Sequence, residues 1–113
     1  MKLIIDRKIW LRGEGSEVSY LRRKADGKQC CIGILCSALP VPENYLTGAK
    51  DADELHLEND VTLPGWLLEP GCATADVDLA YRTNDDENIS DLDREQKISE
   101  IFARHDIQVE FVG

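Results

Sequence analysis

With 113 residues, 22 Asp+Glu against 13 Lys+Arg and a formal net charge of −9, the chain has room for one small hydrophobic core under a surface that repels polyanions. Its 42% hydrophobic fraction is that of a folded globule, so disorder is not the default, and no apolar run approaches the roughly 20 residues of a membrane helix. The charge is divided along the chain: residues 1–50 hold 9 Lys+Arg against 5 Asp+Glu, and residues 51–113 hold 4 against 17.

In chain order, Leu3-Ile4-Ile5 reads as a short strand, and Asp6 stands where a cap would accept the first N–H groups of Arg7-Lys8-Ile9-Trp10-Leu11, closed by Gly13. Met1 to Asp6 is too short and too soon charged for a signal sequence. The expected compartment is the cytoplasm, where Cys30, Cys31, Cys36 and Cys72 read as free thiols or metal ligands. Val18 to Arg22 alternates as a second strand, and Asp26-Gly27 suits a tight hairpin. Gln29 to Leu39 is the most apolar stretch and ends at Pro40; its periodicity fits a helix or a strand buried on both faces, with Gly33 weakening either, and the expected element is a buried helix over about 30–39.

From Val41 to Gly71 the Pro and Gly punctuation predicts short helical turns and loops pinned by Tyr45, Leu46, Leu55, Leu57 and Trp66-Leu67-Leu68. Ala75 to Arg82 predicts a short helix and Thr83 to Ile89 a solvated loop. Ser90-Asp91-Leu92-Asp93 matches a Ser-x-x-acid cap, and Ile98, Ile101, Phe102 and His105 form one stripe of an amphipathic helix over about 91–105. Ile107, Val109 and Phe111 then alternate as a last strand. The expected fold is α+β: one small domain spanning 1–113, with a short, mostly antiparallel sheet that includes the N- and C-terminal strands, packed by the two helices.

Trp10-Leu11-Arg12-Gly13, the stretch from Tyr20-Leu21 through Asp26-Gly27-Lys28-Gln29-Cys30-Cys31-Ile32-Gly33, Leu63-Pro64-Gly65-Trp66-Leu67 and the ending Arg94…Ile98…Ile101-Phe102…Ile107 to Val112 together resemble a family of small acidic proteins encoded by phages and prophages. The resemblance spans nearly the whole chain and brings no assigned activity or site residues. It implies a setting in which small accessory proteins bind and disable or redirect a host protein, antiviral defence included. It also implies a glycine where this chain has Asp106.

Four chemistries are weighed from the residues. Cys31, Cys36 and Cys72 with His56 could supply zinc ligands, but there is no Cys-x-x-Cys knuckle, and buried cysteine is an ordinary small hydrophobe. Cys30 at a helix start could be an activated nucleophile with His56 or His105 as base, although His105 also fits a structural role at a helix end. Asp51-Ala52-Asp53-Glu54 and Asp85-Asp86-Glu87 offer oxygen ligands without a calcium-loop pattern. Arg7, Lys8, Arg12, Arg22, Arg23, Lys24 and Lys28 resemble a phosphate-binding patch, yet the overall charge opposes nucleic acid and the acids are equally good partners for them.

The function expected is that of a non-enzymatic phage-derived accessory protein, without cofactor, that binds a host protein and modulates it, possible targets being nucleic-acid-handling or defence proteins. Carboxylates of Asp76, Asp78, Asp85, Asp86, Glu87, Asp91, Asp93 and Glu95 form the expected partner-binding surface. Asp51, Asp53, Glu54, Glu58 and Asp60 extend the acidic array. The alternative is a small zinc- or thiol-dependent protein using Cys31, Cys36 and Cys72. Neither reading involves direct nucleic-acid or membrane binding.

Overall fold

A computed structural model describes residues 1–14, 19–55, 62–68 and 75–113. Strand β1 (Lys2–Asp6) and strand β2 (Gln108–Val112) pair in parallel, with Leu3 opposite Val109 and Ile5 opposite Phe111. Leu3 and Ile5 are buried while Ile4 is exposed, the alternation of a strand with one face on the core.

The expectation of an antiparallel sheet is overturned. A parallel pair needs a long crossover, and here most of the chain lies between the two strands. The last helix decides the direction. Glu95 near its start binds Arg7 just beyond β1, whereas the turn after it returns to the other end of β1, where the Met1 ammonium donates to the Asp106 carbonyl at 2.8 Å. The strand that follows must start beside Met1 and run alongside β1.

Helix α1 (Cys31–Ala38) confirms the buried helix. Its N-cap is Cys30, whose Sγ accepts from the Gly33 N–H at 3.4 Å. Gly33 is required by packing: a Cβ there would stand 1.9 Å from the Leu21 carbonyl oxygen. The Asp26-Gly27 turn forms, with Gly27 at φ +74°, but joins no hairpin. In place of the second strand, Arg22 makes an isolated bridge to Thr47, and Val18 lies outside the described residues. Asp6 does cap, its Oδ1 accepting from the Lys8 N–H at 2.9 Å, although the residues after it close a turn and not a helix.

The middle carries helix α2 (Glu43–Leu46) and 3-10 turns at Ala52–Glu54 and Gly65–Leu68, matching the short helical turns expected; Leu57 is outside the described residues. Helix α3 (Asp76–Asp85) runs further than predicted, into the segment read as a loop. Helix α4 (Asp91–Ala103) starts on Ser90, whose Oγ accepts from the Asp93 N–H at 3.1 Å, and stops two residues earlier than expected. Its end is a Schellman turn: Ile107 N–H bonds to the Phe102 carbonyl at 3.1 Å and Asp106 N–H to that of Ala103 at 3.2 Å, with Asp106 at φ +60°. One core joins Leu3, Ile5, Trp10, Leu35, Leu67, Val77, Ile98 and Phe102, which is why the elements form a single packed body.

Candidate partner-binding site

The site is built around α3, and α3 is fixed by Asn84. This side chain is fully buried. Its Oδ1 accepts from Trp10 Nε1 at 2.7 Å and from the Cys31 N–H at 2.9 Å, and its Nδ2 donates to the Leu11 carbonyl at 2.9 Å and to Asp85 Oδ1 at 3.1 Å. One amide thus ties the first turn of the chain, the start of α1 and the end of α3. Beyond α3, Arg94 is also buried. Its guanidinium donates to the carbonyls of Thr83 and Ile89, both at 3.3 Å, to that of Asp86 and to Asp91 Oδ1, clamping the connection from α3 to α4.

Asp78, Tyr81, Arg82 and Asp85 recur at helical spacing on one side of α3. Against three of them lies a cleft of about 460 Å³, lined by Tyr81, Arg82, Asp85, Asp86 and Glu87 together with Ser19, Lys50 and Asp51. Four carboxylates therefore face two cations. Burial raises the Asp85 carboxyl above the usual range against the hydrogen bonds from Ser19 and Asn84. Burial, then the neighbouring charges of Glu54, Asp53 and Asp78, raises that of Asp51. For both groups burial works against the charged form. Asp86 Oδ1 accepts from the Asn88 N–H at 2.8 Å; neither Asp86 nor Glu87 forms an ion pair among the described residues.

The other predicted carboxylates fare differently. Asp76 stands at the opposite end of α3, bound by Arg104 at 2.7 Å and by His105 Nε2 at 2.7 Å. Asp91 is shared by Arg94 and, at 3.5 Å, Arg12. Glu95 takes a two-pronged bond from Arg7 at 2.7 and 2.9 Å. Asp93 is exposed on the first turn of α4. The structure brings Asp85, Asp86 and Glu87 together with Asp51, whose charge also feels Asp78; it holds Asp76, Asp91 and Glu95 in internal ion pairs. Asp53 and Glu54 border the cleft's Asp51, while Glu58 and Asp60 lie outside the described residues.

The basic N-terminal residues are largely used internally. Besides Arg7, Arg23 pairs with Asp26 at 2.7 Å and Glu14 at 3.5 Å, and Arg22 with Glu43 at 3.9 Å. Arg12 lies over the Trp10 ring at 4.7 Å.

Cys30, Cys31 and Cys36 are free and fully buried. Burial pushes the Cys30 and Cys36 thiols up to about 12 and the Cys31 thiol well above its ordinary value. The helix-start effect considered for Cys30 is overridden by desolvation, which opposes thiolate chemistry. Among the described residues no group of three or more His, Cys, Asp and Glu could hold a metal ion; Cys72 and His56 lie outside them. His105 is stacked flat on Trp66, ring centroids 4.0 Å apart, while it holds Asp76. Its position on an apolar stripe gave no hint of this pair, because the contact joins elements far apart in sequence.

Among the described residues, the fold and cleft define a small domain of four helices with a two-stranded parallel sheet and a carboxylate-rich depression beside its third helix. Comparison with models of protein families, with curated proteins and with solved structures finds no match. No helix among the described residues is long and apolar enough to cross a membrane.

Proposed function

We propose that this protein is a non-enzymatic binding protein of phage origin that docks on a host protein through the cleft formed by Asp51, Asp85, Asp86 and Glu87. The observation that carries this reading is the excess of carboxylates in the cleft, two of which, Asp51 and Asp85, are raised above the usual carboxylate range by burial. A lysine or arginine of a partner entering the cleft offsets that effect and gains charge-assisted hydrogen bonds. Asp76, Asp91 and Glu95 keep their internal partners, so the docking surface is narrower than the acidic half of the chain. The basic cleft of a nucleic-acid-handling or defence protein is the host surface of matching charge.

Capture from a bacterial lysate at low salt, repeated with Asp86→Lys and Glu87→Lys combined with Asp85→Asn, tests the reading. The expected result is a nucleic-acid-handling host protein that the parent retains, that salt releases, and that the folded variant loses; long-range attraction is the first term removed by screening. Undiminished retention by the folded variant defeats it.

A further inference from the structure

The two-stranded sheet presents an open backbone edge, and it does so on β2. Ladder phase follows from its end bonds: Gln108 N–H donates to the Met1 carbonyl at 2.9 Å and Arg7 N–H to the Val112 carbonyl at 2.8 Å. In a parallel ladder of this phase Gln108, Glu110 and Val112 turn their backbone groups toward β1, and Val109 and Phe111 turn theirs the opposite way. Among the described residues none of those four groups has a hydrogen-bond partner. On β1 the outward edge is blunted, since it carries Lys2 and ends at Asp6, whose carbonyl accepts from Ile9 and Trp10. Strand β2 has no lysine, proline or bulge. Beside the start of the sheet runs a groove of about 620 Å³ lined by Ser99 and Ala103 of α4, Asp106 and Ile107, Met1 and Lys2, and Gln108 and Val109 of β2.

We propose that β2 is a docking edge for an extended, basic segment of a partner protein, which adds as a third strand along Val109 and Phe111. Charge selects this occupant over a second copy of the chain. Two copies of net charge −9 repel each other, whereas a lysine-bearing strand is attracted. The added strand gains main-chain bonds from the two open residues and places alternate side chains toward α4. This edge shares no residue with the cleft, so either site can fail without the other.

The probe is a blocked peptide of alternating Lys and Val, titrated into the isotope-labelled protein, with an alternating Glu and Val peptide as control. The expected result is binding of the Lys peptide alone, with hydrogen-exchange protection of the Val109 and Phe111 amides. Val109→Pro removes an edge donor outside the β1 ladder, and Ser99→Lys fills and charges the groove; each weakens binding about tenfold or more with the near-ultraviolet spectrum retained. Ser99→Lys remains informative should the proline variant not fold. Reversing Asp86 and Glu87, which lie off the edge, weakens this binding less than Ser99→Lys does. No binding by the Lys peptide, equal binding by the Glu peptide, or undiminished binding by folded Ser99→Lys overturns the proposal. So does concentration-dependent protection of the two amides in the free protein, which assigns the edge to self-association.

Discussion

Asn84 shows what a single side chain can hold. Its amide satisfies the Trp10 indole, the Cys31 backbone and the Leu11 carbonyl without exposure to water, so a same-sized apolar replacement strands two donors and an acceptor. Asn84→Leu is expected to lose about 3 kcal/mol or more in urea unfolding, because each buried group left without a partner costs about 1–3 kcal/mol. One residue further on the sign reverses. Asp85→Asn keeps the oxygen that accepts from Asn84 and removes a carboxylate held up by burial. It is expected to give a slightly higher urea midpoint at neutral pH together with weaker retention of the partner, the trade-off of a site built against local stability.

At the scale of elements, two backbone positions set how helices join their surroundings. Helix α1 approaches the Leu21 segment so closely that Gly33 tolerates no Cβ. Gly33→Ala is expected to destabilise by ~3 kcal/mol in chemical denaturation despite the better helix propensity of alanine, since the neighbour it strikes is backbone. The end of α4 is the converse case. Asp106 occupies the left-handed position of a Schellman turn, at φ +60°. Asp106→Gly is expected to stabilise by about 1 kcal/mol, read as a rise in thermal midpoint, since glycine adopts that conformation freely.

For the whole molecule, the carboxylates divide into two sets with opposite pH behaviour. Burial tends to raise the Asp76 carboxyl, and hydrogen bonds from His105 and Arg104 override it, leaving it below its usual range. Its contribution is present above the unfolded value near 4 and disappears as pH falls through the lower folded value. Asp51 and Asp85 are raised, so their cost is present at neutral pH and vanishes as pH falls through their folded values. Stability is therefore expected to climb from pH 7 toward the acid side, pass a maximum, and drop once the Asp76 pair protonates. Urea midpoints across pH check this: Asp85→Asn flattens the climb and Asp76→Asn removes part of the drop, while a curve falling monotonically from pH 7 contradicts the division.

The same division marks how far the sequence could be read. Local chemistry was legible: the Ser90 cap, the apolar run of α1, the Asp26-Gly27 turn, the short first strand and the alternation of the last one all depend on residues within a few positions of one another. Asn84 looked like loop because its partners, Trp10, Leu11 and Cys31, are more than fifty positions away. The acids of residues 76–95 form a single run in the sequence, but Arg7, Arg12, Arg94 and Arg104 sort them into internal pairs and a cleft only when the chain is folded. Composition and spacing by themselves determined a small acidic domain and the identity of its main helices. The parallel direction of the sheet, the open edge of β2 and the choice of uncompensated carboxylates were decided by tertiary structure, because each depends on where α4 returns the chain and which distant cations it brings along.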